Sequence, residues 1–208
     1  EKFDDETRAA YRANYGLEPD DKVVAYVGNL HPVKNVEILP ELFSRIHDNF
    51  EMHLRDCPEN QANLKFWIVG DGKLRSQIEP LVKNAAGAQT YFWGNVETGR
   101  MITLMHCIDL LVLPSKNEGL PLVTLEALSC GASVLGSDVG GIPEVIGKEF
   151  CVPFDVNRDG TIDYMTILTM HDNDVSNLKV GQVVKQGEIY FHPGVKGKTT
   201  GSHIHIAV

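Results

Sequence analysis

Short apolar runs, each closed by a glycine- or proline-bearing loop and followed by an amphipathic segment, recur along most of this chain. The clearest block spans 109–145. The apolar run 108–113 is too short to span a membrane and is bounded by Pro114, so it predicts a buried strand. A polar loop, 115–118, leads to Gly119, and Pro121 falls where a first helical turn tolerates a missing N–H. Leu122, Leu125, Glu126 and Leu128 continue as a helix that stops at Gly131. Residues 132–136 predict a second strand, and Gly140-Gly141 opens another loop before Pro143-Glu144-Val145. Upstream, the same pattern predicts strands at 22–27, 66–69 and 90–93. Helices are predicted at 8–15, from Lys34 past Phe43, at 74–83 and at 100–107.

Strand, loop and helix in repetition build a parallel α/β sheet, whose ligands lie at the carboxyl ends of the strands against helix N-termini. The loop Asn117-Glu118-Gly119 falls at such an end. Backbone N–H groups there suit a phosphate, and glycines allow close approach. Glu118 and Glu126 are eight positions apart. With Glu118 in the loop and Glu126 about two turns into the helix, they would reach different parts of one bound molecule. Lys34, at a predicted helix start, opposes the positive helix end, which favours a phosphate role over a merely exposed lysine. Gly70-Asp71-Gly72 is a tight turn, and Trp93 and His106 read as interior residues.

The chain has 208 residues, 43% of them apolar, enough for a globular core. A net charge of -9 argues against a nucleic-acid surface. Cys57, Cys107, Cys130 and Cys151 are widely spaced with no CxxC, and read as buried thiols of a reducing compartment. No apolar run approaches the roughly 18 residues of a membrane span, and no signal-peptide pattern opens the chain. The expected location is the cytoplasm, with peripheral membrane attachment left open. Because the first residue is Glu1 and not Met, the chain reads as a fragment.

The residues from Glu118 through Leu128, then Cys130-Gly131 and Gly140-Gly-Ile-Pro-Glu144, resemble the donor-binding half of group 1 (family four) retaining glycosyltransferases. Those enzymes have two Rossmann-like domains, the GT-B fold. The resemblance implies an α/β class, a Rossmann-like parallel sheet with flanking helices over 22–156. Residues 1–21 would be the remnant of an interdomain linker, the N-terminal domain being absent. It implies transfer of a sugar from a nucleotide diphosphate sugar to an unidentified acceptor, with Glu118 as the catalytic candidate. Lys34 would meet the diphosphate, the Val96 backbone the base, and Glu126 the ribose hydroxyls. Glu118 and the Gly119 and Leu120 amides would meet sugar and phosphates. No metal or other cofactor is implied. Asn29 stands where the family carries an arginine, and an amide supplies no charge to a diphosphate.

From Asn157 the texture changes, and 157–208 reads as a small antiparallel β-rich tail. His203 and His205, at i and i+2 of a strand, would face one point. With Thr200-Gly201-Ser202 before them, they resemble the end of lysostaphin-type zinc endopeptidases, which cut peptidoglycan cross-bridges; the resemblance covers 161–208. It implies His205 as a zinc ligand and His203 as its catalytic neighbour. The family's other two ligands come from an upstream segment that glycosyltransferase-like sequence occupies here, and His171-Asp172 and Asp174 do not replace them. A catalytic zinc needs three protein ligands. Asp155, Asn157, Asp159 and Gly160 imitate the start of a calcium loop, but Thr166 takes the place of its closing carboxylate. The alternatives are a cell-wall zinc module with residues 1–155 as passenger, or a non-natural fusion joined near 155–160.

Overall fold

The computed structural model describes residues 5–56, 62–86, 89–148 and 151–152. The expected β-rich tail, with His203 and His205, lies outside the described residues. So do Cys57, the calcium-like turn and most of the exit loop 149–155. The elements in chain order are α1 (Asp5–Asn14), β1 (Lys22–Val27), α2 (Leu39–Asp56), β2 (Leu64–Val69), α3 (Arg75–Ala85) and β3 (Gln89–Gly94). There follow α4 (Thr98–Cys107), β4 (Leu110–Leu113), α5 (Leu122–Ser129), β5 (Ser133–Ser137), α6 (Ile142–Ile146) and the short β6 (Cys151–Val152). The strands form one parallel sheet in the order β3-β2-β1-β4-β5-β6.

Strand β1 is buried at every position after Lys22, the signature of a central strand covered on both faces. Side chains alternate between those faces. Val23, Ala25, Val27, Trp67, Val69, Leu111 and Leu113 join a core with residues of α4, α5 and α6, including Leu104, Ala127 and Ile142. On the other side Phe66 stacks on Phe43 of α2, ring centroids 4.5 Å apart. The chain winds outward from β1 to β3, returns to β4 and winds the other way. Between β1 and β4 the following connections therefore diverge and leave a crevice at the carboxyl edge.

The opposite end of this seam is tied by charge. Asp109, just before β4, accepts from Arg8 at 2.6 Å, from Arg12 at 3.1 Å and from the Val23 N–H at 2.8 Å. Arg12 is buried and also donates to the carbonyls of Cys107 and Asp21. Residues 5–14, within the stretch expected to be linker, are thus a helix carried on the α4–β4 junction. Asp21 is buried as well, and receives Lys65 at 3.0 Å and the Asn63 amide at 2.9 Å. Burial pushes its carboxyl up, but the hydrogen bonds from Asn63, Lys65 and the Glu18 N–H outweigh that and leave it below the usual value.

Two expectations are corrected. The helix expected from Lys34 is two single 3-10 turns, Pro32–Lys34 and Val36–Ile38, before α2 begins at Leu39. Asn35 between them is left-handed at φ 55°, a conformation that ends a helix and that asparagine tolerates better than most residues. Helix α5 begins at Leu122, with Pro121 preceding it, so Glu126 lies one turn in and not two. Cys107 and Cys130 are buried free thiols, and burial pushes Cys107 up to about 12. Among the described residues no helix is long and apolar enough to cross a membrane.

Arg12→Ala takes the donor from the carbonyls of Cys107 and Asp21 and one of three donors from Asp109, which keeps Arg8 and the Val23 N–H, and should cost about 2–4 kcal/mol in urea unfolding. Arg45→Ala removes only an i,i+4 pair with Glu41 on α2 and should cost about 0.5 kcal/mol or less. Asp21 gives a pH signature. Its folded value lies below the unfolded 3.8, so its contribution is complete above that value and is lost as pH falls through the folded one. Stability of Asp21→Asn should be lower than wild type at neutral pH, and the two should converge in acid.

Candidate functional site

Five loops meet at the carboxyl edge of the sheet: 28–38 after β1, 70–74 after β2, 95–97 after β3, 114–121 after β4 and 138–141 after β5. The first three enclose a cavity of about 260 Å³ lined by Gly28, Asn29, Gly70, Asp71, Asn95 and Val96, among others. Backbone bonds fix its walls: Gly28 N–H to Val69 O at 2.9 Å, Gly70 N–H to Gly94 O at 2.8 Å, and Leu30 N–H to Asp71 O at 2.9 Å. A Cβ on Gly70 would lie 2.1 Å from the Gly28 carbonyl oxygen, so only glycine lets these two strand ends close. The Asp71 carboxylate accepts the Gly72 N–H and then Arg75, which together hold it below the usual carboxylate range. It braces the turn, as its tight-turn reading requires.

The β1–β4 crevice lies beside this cavity and holds the charged pair. Lys34 Nζ is 2.5 Å from Glu118 Oε1, and the Ser115 hydroxyl donates to the same oxygen at 2.7 Å. The Lys34 side chain is 26% exposed and that of Glu118 only 10%. Ser115 is buried, and its carbonyl accepts from Ser137 Oγ, which also reaches Leu113 O at 3.3 Å. The loops are laced by backbone as well, with Lys116 N–H donating to Val33 O at 2.9 Å. Tyr26 links crevice and cavity. Its buried hydroxyl donates to Asn29 O at 2.9 Å, and burial, with the Glu118 charge adding, holds the phenol protonated far above its ordinary range.

The loop after β5 sets the height of the loop after β4. Gly141 N–H donates to Gly119 O at 2.9 Å. A Cβ on Gly140, where φ is +55°, would lie 1.7 Å from Glu118 O. One on Gly141 would lie 2.3 Å from Gly119 O. Backbone thus lies directly on backbone beneath Glu118.

Of the residues singled out in the sequence, Lys34 and Glu118 are in contact, Gly119 and Leu120 follow at the exposed crest of the same loop, and Val96 lines the adjoining cavity. Glu126 is exposed on α5, alongside Leu122, Leu125 and Leu128. Sequence reasoning assigned no role to Ser115, Ser137 or Tyr26. Ser115-x-x-Glu118 has the spacing of a capping box, a signal that could have flagged the serine. Tyr26 and Ser137 sit inside strands, where nothing in the pattern separates them from core. The arrangement presents the Lys34 ammonium to an anion, and carboxylates and carbonyls to hydroxyl groups.

Comparison with known proteins bears on what such an edge binds. The profile of the family described as "Glycosyl transferases group 1" matches residues 7–164. N-acetyl-alpha-D-glucosaminyl L-malate synthase of Bacillus anthracis is 32% identical over 136 residues, which are 65% of this chain and 32% of the relative. The chain spans about a third of the length of the curated relatives it matches. The C-terminal domain of a group 1 family protein (LpcC) from Francisella tularensis superposes with a TM-score of 0.55 at 19% identity, over 73% of this chain and 76% of that one. Anabaena HepE, in complex with UDP-glucose, gives a TM-score of 0.52 at 23% identity, over 69% of this chain and 36% of that one. At these identities the likeness is one of fold.

Gly140→Ala should cost at least about 2 kcal/mol, from overpacking together with the left-handed backbone. Gly99 lies on the first turn of α4, and a Cβ added there would meet nothing within 4 Å. Gly99→Ala should stabilise by about 0.5 kcal/mol or more. Equilibrium unfolding of both variants checks the contrast.

Proposed function

Since the chain belongs to the group 1 glycosyl transferases, matched over residues 7–164, we propose that it supplies the donor-binding half of a retaining, GT-B-type enzyme. The observation that carries this reading is the meeting of Lys34 and Glu118 where the sheet order reverses, with the Val96 cavity beside it. That is where doubly wound sheets bind nucleotides. The UDP-glucose bound to Anabaena HepE, a protein of like fold, supports a nucleotide sugar as donor.

In this reading the Val96 backbone meets the base and Glu126 the ribose hydroxyls. Lys34 meets the diphosphate. Glu118 and the amides of Gly119 and Leu120 meet the sugar and the phosphates. The bond from the anomeric carbon to the diphosphate oxygen breaks, the acceptor oxygen bonds to the same carbon on the same face, and the acceptor proton is released. Charge building on the leaving diphosphate is met by a fixed ammonium, which needs no reorganisation during the reaction. Asn29, uncharged where the family carries arginine, leaves Lys34 a larger share of that work. A hexosyl donor is part of this reading, and the acceptor belongs to the whole enzyme.

Nucleoside diphosphate at about 100 times Kd should stabilise the protein by about 2.7 kcal/mol. A thermal-shift panel of UDP, GDP and ADP checks this, and no shift with any of them at millimolar concentration contradicts the reading. Glu126→Ala, on an exposed position, should weaken binding without lowering the unliganded melting temperature. These 208 residues alone should bind donor without turning it over, because positioning an acceptor against a donor can supply about 7–11 kcal/mol of barrier lowering. Nucleotide release well above the buffer rate, abolished by Glu118→Ala, contradicts that part. For 161–208 we propose a peptidase-like segment without a complete zinc site. One tightly held zinc per chain, lost in His205→Ala, overturns it.

A further inference from the structure

In the free protein the two charged groups of the crevice satisfy each other. Lys34 Nζ lies 2.5 Å from Glu118 Oε1, and the carboxylate is largely shielded from water. The contact is built on both sides. Lys34 ends a one-turn helix, its N–H donating to His31 O at 2.8 Å, and the neighbouring Val33 carbonyl holds the Lys116 N–H of the opposite loop. Glu118 is fixed through Ser115 Oγ and by the close approach of Gly140 to its backbone. The site therefore contains its own anion, placed on the cation that a phosphate would need.

We propose that Glu118 is a stand-in anion that occupies Lys34 until a donor arrives and makes the crevice select sugar-bearing diphosphates over bare ones. The proposal rests on the reading that this site takes a diphosphate donor. A bare diphosphate that reaches Lys34 displaces the carboxylate and leaves it with the Ser115 hydroxyl but without its ammonium, poorly solvated and beside further negative charge. A sugar attached to that diphosphate brings hydroxyl donors to the released carboxylate, and charge-assisted hydrogen bonds replace the lost ammonium. Glu118 thus penalises the wrong ligand as well as contacting the right one, which is how selectivity between close analogues arises. It also lowers the affinity for the product nucleotide, which favours product release.

The test is calorimetric titration of pyrophosphate, of UDP, GDP and ADP, and of their glucose esters into wild type, Glu118→Gln, Lys34→Ala and the double variant. Glu118→Gln should bind bare diphosphates about fivefold more tightly than wild type, and the advantage conferred by the sugar should shrink. The gain should be smaller in the Lys34→Ala background, because no ammonium is then set free. Glu118→Ala, with the same expected direction, serves if the glutamine variant does not fold. Nucleotide binding that is unchanged or weaker in both Glu118 variants overturns the stand-in role and leaves the donor reading intact. A gain for pyrophosphate with no nucleotide bound supports the stand-in and sinks the donor reading. Equal gains with and without Lys34, or no binding of any anion, overturn the proposal.

Discussion

The seam between β1 and β4 is the constraint on which the rest of the domain depends. These strands are consecutive in neither sequence nor winding, yet they pair at the centre of the sheet, and the chain order reverses across them. At their amino ends Asp109 binds Arg8, Arg12 and the Val23 N–H, joining α1, β1 and β4 through one carboxylate. At their carboxyl ends Lys34 and Glu118 join the two following loops. A register slip at this seam would separate both pairs and turn alternate side chains to the wrong face. The electrostatics that hold the fold and those that define the site thus lie at two ends of one strand pair.

Close backbone approach does the rest. Gly70 against Gly28, and Gly140 against Glu118, bring successive loops into contact with no side chain between them. Interiors packed to crystal density leave little slack, so loops built this way keep their height. A site assembled from five loops can then be rigid without a ligand, and its charged groups can be pre-placed instead of recruited. Lys34 and Glu118 illustrate the consequence, since a pre-placed cation attracts a pre-placed anion.

The fold was legible because a parallel sheet writes itself plainly. The run 22–27 and the alternation around Pro114 and Gly119 led to strands and helices that match the structure within a few residues. The helix expected from Lys34 starts late, at Leu39, because hydrophobic periodicity carries no trace of the left-handed Asn35. The pattern singles out both Lys34 and Glu118 but not their contact, since 84 positions separate them and the β1–β4 pairing brings them together. Ser137 stayed hidden for a similar reason: its target is a carbonyl on the neighbouring strand's loop. Glu126 is singled out by its spacing to Glu118, while its depth in the helix depends on where α5 starts.

Amide hydrogen exchange with and without a nucleoside diphosphate sugar tests the donor-site account most directly. Nucleotide bound at the sheet's carboxyl edge should slow exchange in peptides covering 28–38, 70–74, 95–97 and 114–121. Peptides from α1 and from the amino ends of the strands should exchange at unchanged rates. Protection confined to those four loops is the predicted result. Saturating ligand with no protection there, or with protection centred on α1 and the Asp109 end of the seam, would contradict it.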